Sequence, residues 1–190
     1  MPRKRKPRRA ITKDLLFITD HSLRVKIEDA IETISLLYLL NQNKGLSEGF
    51  AKENRRMMIL YAASVIEAVL LYLYKKKECS INKTEYTKVH TLPQTYQLET
   101  GLTLVLAKQV QTPKNDRELM LDVLLKYFSE SGLITESLKK KIEKAKNVRN
   151  TFHLSKSRKG IPCGNLTVKS SSEAVLGTLN AVRKSLAANS

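Results

Sequence analysis

The chain has 190 residues, enough to bury one substantial hydrophobic core but too few for two full domains. Lys and Arg number 34 against 18 Asp and Glu, and the formal net charge of +16 favours a polyanionic partner such as RNA, DNA or an anionic membrane surface. The aromatic content of 6%, without tryptophan, argues against an extended stacking platform for single strands and favours contacts to phosphates. The alternative is that part of this charge only keeps the protein soluble.

Several classes of chemistry find no support in the sequence. Cys79 and Cys163 lie far apart, the three histidines are scattered, and none has the spacing of metal ligands. The chain contains no glycine-rich phosphate loop, dinucleotide fingerprint or serine nucleophile elbow. We therefore expect no metal and no cofactor. One disulfide remains an alternative, although the lack of a secretory signal favours a reducing, cytoplasmic location.

The first nine residues carry six cations and two prolines, with almost nothing to bury. We expect residues 1–20 to form a disordered basic arm, followed by a single domain over residues 21–190. The arm could hold phosphates, resemble a nuclear localisation signal, or be a solvated tail that tolerates deletion. Its candidate phosphate-binding residues are Arg3, Lys4, Arg5, Lys6, Arg8 and Arg9.

Two helices are predicted next. From His21 to Asn41 apolar residues recur at steps of three and four, which indicates an amphipathic helix, and Gly45 follows in a loop. Residues 50–77 read as a longer helix whose interior is apolar nearly all round. Its apolar run over residues 57–74 is long enough for a membrane span, but Glu67 near the middle would be costly in hydrocarbon. We therefore predict the central helix of a soluble bundle, with Glu67 as a buried acid that needs a partner and no membrane involved.

The sequence changes character between residues 83 and 114, where β-branched residues alternate and Pro93 and Gly101 supply turns. Two strands, about 86–92 and 102–110, are predicted to form a small β-hairpin insertion. A helix across residues 102–111 is the main alternative.

Three further helices complete the predicted bundle. The first runs over residues 117–130, capped by Asn115 or Asp116 and stopped at Gly132, with this apolar face: Leu119, Met120, Val123, Leu124, Tyr127 and Phe128. The second begins at Thr135 and continues through Phe152. The last is expected to open with a capping box formed by Ser170 and Glu173. Its predicted buried face consists of Val175, Leu176, Leu179, Val182 and Leu186.

The stretch KNVRNTFHL, residues 146–154, places Arg149 and His153 on or beside the apolar stripe of its helix, because at about 100° per residue they fall roughly 20° and 60° from Leu138. In the structural interpretation Arg149 pairs with Glu67, and His153 binds a carbonyl at the helix end. In the functional interpretation Arg149 holds a phosphate, His153 moves a proton near neutral pH and Asn150 binds a phosphate or ribose oxygen.

The order of these elements, with AASVIEAVLLYLY in the long helix, SGLI after the third and LKKKIEKAKNVRNTFHL in the fourth, resembles the HEPN superfamily of helical bundles. The resemblance covers most of the chain from about residue 21, excepting the insertion at 83–114. It implies a bundle of four to five helices, an RN pair before a histidine, and a homodimer whose two motifs share a cleft. Many members are metal-independent ribonucleases in toxin, antiphage or RNA-processing systems, and others are inactive.

Matched to this motif, Arg149, Asn150 and His153 are the implied catalytic residues, with three residues between Arg and His where the family usually has four to six. The resulting hypothesis is a homodimeric HEPN-like RNA-binding protein with metal-independent endoribonuclease activity of a toxin or antiphage defence type, which a companion protein could neutralise. Further expected nucleic-acid contacts are Lys146, Lys156, Arg158 and Lys159. The alternative is a non-catalytic dimerisation and nucleic-acid-binding module.

Overall fold

A computed structural model of the chain describes residues 14–42, 45–91, 105–151 and 163–188. It confirms a mainly helical fold with a two-stranded antiparallel hairpin. A single turn of 3-10 helix, Asp116–Glu118, precedes the third α-helix. The elements in chain order are α1 His21–Asn41, α2 Glu48–Lys76, β1 Asn82–Thr91, β2 Val105–Pro113, α3 Leu121–Glu130, α4 Glu136–Asn150 and α5 Asn165–Ala187.

Helix α2 is the centre of the bundle and packs against α1, α3, α4 and α5. Its length and composition would allow it to cross a membrane, but 56% of the apolar stretch is buried inside the protein. The side chains of Ile59, Ile66 and Leu70 are completely buried in the common core. The apolar run is therefore explained by packing against four helices, as the bundle interpretation predicts.

The segment before α1 is packed against the bundle. Residues 14–20 were assigned to the basic arm, but Leu15 and Ile18 are fully buried. The Tyr72 hydroxyl of α2 holds this segment, since it donates to the Phe17 carbonyl at 3.1 Å and accepts the Thr19 N–H at 3.1 Å. Residues 14–20 therefore pack on the bundle and do not belong to the predicted arm, because the core buries the apolar side chains of Leu15 and Ile18. Residues 1–13, with all six predicted phosphate contacts, lie outside the described residues.

The hairpin is confirmed, and the alternative of a helix across residues 102–111 is wrong for the described part, which is strand from Val105. Strands β1 and β2 pair antiparallel, with Tyr86 opposite Gln109 and a bulge between Lys88 and His90. Strand β1 begins at Asn82, before the predicted residue 86, and β2 ends at Pro113, after the predicted residue 110. Differences of this size are usual for strand ends predicted from sequence.

The third predicted helix is broken. Asn115 caps the 3-10 turn in a capping box with Glu118, and the α-helix begins only at Leu121. Met120 therefore lies at the N-cap of α3 and is exposed, although it was predicted on the apolar face. The buried face of α3 includes Leu121 and Leu125 instead. Gly132 ends this region as predicted, with a φ of +76° that favours glycine.

The predicted start of the last helix is wrong. Helix α5 begins at Asn165 after Gly164, so Ser170 lies in its interior and forms no capping box. Serines inside this helix instead satisfy their hydroxyls on the preceding turn, as Ser171 does by donating to the Thr167 carbonyl at 2.9 Å. Leu176, assigned to the buried face, is exposed. By contrast, Thr135 caps α4 as expected.

The contact of Tyr72 with the segment before α1 predicts the effect of one substitution. Tyr72→Phe leaves the Thr19 N–H and the Phe17 carbonyl without this partner. We therefore expect the free energy of unfolding, measured in urea, to fall by about 1–2 kcal/mol. Tyr38→Phe is the matched control, because Tyr38 is 54% exposed, and it should change stability by less than about 0.5 kcal/mol. Equal stability of the two variants would show that this hydroxyl does not anchor the segment.

Candidate nucleic-acid site

Arg149 lies in the last turn of α4 and faces the central helix. Its Nη1 atom is 2.8 Å from Oε2 of Glu67, and the two side chains are 33% and 22% exposed. Glu67 is therefore a partly buried acid instead of a fully buried one, and the ion pair of the structural interpretation is present. A third of the Arg149 side chain remains open to solvent, as expected of a long cationic side chain at the edge of a core.

The second carboxylate oxygen of Glu67 has a different task. Oε1 accepts the backbone N–H of Leu121 at 2.8 Å, at the first turn of α3. Met120, the N-cap residue of that helix, has no side chain able to accept such a bond. Glu67 thus caps α3 from a neighbouring helix and places negative charge at its positive end, so that one carboxylate joins α2, α3 and α4.

A second ion pair lies beside the first. Lys146, one turn before Arg149 on α4, is hydrogen-bonded through its ammonium group to the carboxylate of Asp122 on α3. The Lys146 side chain is only 20% exposed. This predicted nucleic-acid contact therefore holds two helices together, and its charge is already partly satisfied.

Two neighbouring arginines of α2 contact the backbone on both sides of residues 152–162. Arg56 donates to the Thr151 carbonyl at 3.4 Å, at the carbonyl end of α4, where a cation is favoured. Arg55 donates to the Cys163 carbonyl at 2.8 Å. Neither arginine is among the site residues predicted from the sequence. Two adjacent arginines at the start of a core helix are the signal that could have identified them.

Of the predicted site residues, the structure brings Arg149 and Glu67 into contact and leaves Asn150 exposed at the end of α4. His153, Lys156, Arg158 and Lys159 lie outside the described residues. The stretch that contains them is flanked by Thr151 and Cys163, both held by arginines of α2.

Neither cysteine forms a disulfide, which excludes that alternative for this structure. Cys163 is buried, and burial raises the pKa of its thiol against the opposing effect of nearby cations such as Arg56. It is therefore not an activated nucleophile. No group of three metal-binding side chains occurs among the residues that the structure describes.

Two substitutions separate the contribution of the Glu67 ion pair with Arg149 from that of its hydrogen bond with the Leu121 N–H. Glu67→Gln keeps an acceptor for the Leu121 N–H but removes the charge beside Arg149, and we expect it to reduce the free energy of unfolding by about 1 kcal/mol. Glu67→Ala removes the cap as well and should cost about 2–3 kcal/mol. Glu130→Gln is the control, since its pair with Lys126 is long and exposed, and should cost less than about 0.5 kcal/mol. If Glu67→Ala is no worse than Glu67→Gln in thermal or urea unfolding, Glu67 does not cap α3.

Models of known protein families, curated proteins and solved structures all fail to match this chain. What can be inferred about function therefore depends on its own residues and geometry.

Proposed function

We propose that this chain is a HEPN-like, cytoplasmic RNA-binding protein that acts as a homodimer and cleaves RNA without a metal ion. The observation that carries the proposal is the position of Arg149, whose charge is fixed by Glu67 at the end of α4 while a third of its side chain stays accessible. A pre-positioned guanidinium at a surface is suited to hold a phosphate through two parallel hydrogen bonds.

The reaction class follows from the side chains available. His153, four residues after Arg149, would take the proton of a ribose 2′-hydroxyl, and the 2′-oxygen would attack the adjacent phosphorus. The bond from phosphorus to the 5′-oxygen then breaks, and that oxygen takes up a proton. The products are a 2′,3′-cyclic phosphate and a 5′-hydroxyl. Arg149 would stabilise the charge on the phosphate oxygens, and Asn150 would bind a phosphate or ribose oxygen.

The charge of the chain supports a polyanionic substrate. With a net charge of +16, the protein attracts RNA at long range and contacts its backbone independently of sequence. Arg55 and Arg56 hold both ends of the stretch that contains His153, and their own charges are paired with Glu48 and Glu53. A ribonuclease of this kind would be toxic to its own cell, so a toxin or antiphage role with a neutralising partner protein is consistent with the chemistry.

A second candidate function is a non-catalytic dimeric module that binds nucleic acid. The Arg149–Glu67 ion pair favours it, because this contact gives Arg149 a structural task that needs no substrate. The separation of three residues between Arg149 and His153 favours it too, since it is shorter than in the family that the chain resembles. This candidate predicts salt-sensitive binding without turnover.

The two candidates differ in one assay. End-labelled RNA, single-stranded or structured, is incubated with the protein in excess EDTA, and the products are tested for 2′,3′-cyclic phosphate ends. We expect cleavage by the natural protein, a loss of about 10²-fold or more in His153→Ala, and a loss of about 10-fold or more in Arg149→Lys, which keeps the charge beside Glu67 but not the planar fork.

Lys144→Ala is the control, because Lys144 is an exposed cation on the same helix, and it should cleave at the natural rate. Cleavage that persists in His153→Ala would contradict the catalytic assignment. Binding without cleavage by every protein in the series would establish the second candidate.

A further inference from the structure

The β-hairpin contributes no buried side chain to the hydrophobic core. Most side chains of β1 and β2 are exposed and none is buried, and the two strands pair with each other while no helix packs extensively on them. A hairpin of two strands is marginally stable in water when nothing covers it. A 19-residue ribbon with both faces open therefore presents a surface to a partner.

Ion pairs between side chains fix the base of the ribbon to the bundle. Lys83 Nζ lies 2.6 Å from Oε1 of Glu118 and 2.9 Å from Oε1 of Glu85, and Glu118 also accepts the Asn115 N–H at 2.9 Å. The hydrogen bond from Lys83 lowers the pKa of both carboxyl groups. The anchor is therefore complete above the ordinary glutamate pKa and is lost as the pH falls through the lowered values.

This anchor also pairs the one carboxylate of the ribbon with a cation, which Glu118 shares. Glu85 is the single carboxylate of the two strands and is paired with Lys83. Lys88 and Lys108 are in no ion pair within the described part of the chain, so the exposed shaft of the ribbon is cationic.

The strand register separates the side chains into two faces. Residues directly opposite each other in an antiparallel pair share a face, and the pairs Thr84 with Gln111, Tyr86 with Gln109 and Lys88 with Ala107 lie at alternate positions. We call this set the amide face, defined by Thr84, Tyr86, Lys88, Gln109 and Gln111. Lys83, Glu85 and Lys108 lie on the opposite face.

The amide face is uncharged except for Lys88 and is rich in groups that both donate and accept hydrogen bonds. The Gln111 side-chain amide donates to the Thr84 hydroxyl at 3.0 Å, which fixes that oxygen and leaves its own proton free to donate. Tyr86 is 70% exposed in the middle of the face. From Thr84 to Lys88 the strand extends roughly 13 Å.

Double-stranded RNA offers the complementary surface. Its minor groove is wide and shallow, displays ribose 2′-hydroxyls as donors and acceptors, and is bordered by phosphates. We propose that the amide face binds this groove, with Thr84, Gln109 and Gln111 on 2′-hydroxyls and Lys88 on a phosphate. The inference rests on RNA binding in the proposed function and adds a substrate class, namely RNA with a duplex segment. A protein partner would instead use the exposed apolar side chains of this face, Tyr86, Ala107 and Val105, and would give no preference for RNA over DNA.

The test uses the full chain and three probes, an RNA duplex of about 20 base pairs, the DNA duplex of the same sequence, and one RNA strand alone. We expect the RNA duplex to bind most tightly. Lys88→Ala should weaken that binding roughly fivefold and lower the slope of log K against log salt by about 1. Lys108→Ala, which removes the same charge from the opposite face, should change affinity less than about twofold and leave the slope nearly unchanged.

The double variant Gln109→Ala, Gln111→Ala should reduce the preference for RNA over DNA about tenfold, because DNA lacks the 2′-hydroxyl. Equal effects of Lys88→Ala and Lys108→Ala, or equal affinity for the RNA and DNA duplexes, would overturn the inference. So would a change of oligomeric state in Lys88→Ala by sedimentation, which would assign the face to a second copy of the chain.

These measurements distinguish a failure of the ribbon inference from a failure of the proposed catalysis. Cleavage is measured on a short single-stranded RNA, which offers the ribbon no duplex, and duplex binding is measured separately. Duplex binding that depends on Lys88 in a protein without cleavage would sustain the ribbon inference and remove the catalytic proposal. Cleavage by a protein whose duplex binding is unaffected by Lys88→Ala would support the catalytic proposal and remove the ribbon inference.

Discussion

The carboxylate of Glu67 is the constraint on which the centre of the structure depends. Helix α2 is apolar because four helices pack around it, and an ionised group within such a helix is stable only when it is compensated. Arg149 supplies the opposite charge, and the Leu121 N–H supplies a hydrogen bond. One side chain therefore links α4 to α2, beside the packing of Ile142 and Val148 in the core, and caps α3 where its own N-cap residue cannot.

This arrangement gives Arg149 two competing partners. The carboxylate that orients the guanidinium also attracts it, and a phosphate must share the arginine with Glu67. An arginine that is already fixed loses less conformational entropy when it binds a phosphate than a mobile one does, and this favours binding. The carboxylate of Glu67 opposes binding, because it lowers the effective charge of the arginine. The proposed site and the stability of the bundle are thus coupled through a single ion pair.

Much of the fold could be predicted from the sequence because the helical periodicity is strong. The bounds of α1 agree with the prediction, and the β-hairpin follows from β-branched alternation between turn residues. The errors occur where local signals compete. Ser170 and Glu173 have the spacing of a capping box, but the helix had already begun, and Glu173 pairs with Lys141 of α4 instead. Met120 follows the helical period but lies at a cap.

The candidate site was only partly predictable for a related reason. A helical wheel places Arg149 on the face towards the core, and a lone acid in an apolar helix suggests its partner, so this pair could be anticipated from Glu67. The bonds of Arg55 and Arg56 to the carbonyls of Cys163 and Thr151 join residues about a hundred positions apart, so the adjacent arginines in the sequence indicate a cationic site but not its backbone partners. The amide face likewise depends on a strand register that composition alone does not specify.

The most direct measurement is the affinity of Glu67→Gln for RNA, determined beside its stability. If Glu67 and phosphate share Arg149, removing the carboxylate charge should tighten RNA binding about threefold to tenfold while the protein becomes easier to unfold. The same substitution in an Arg149→Lys background should give a smaller gain, because lysine cannot hold a phosphate through a planar fork. RNA affinity that is unchanged in both Glu67→Gln and Arg149→Lys would show that Arg149 serves the fold alone.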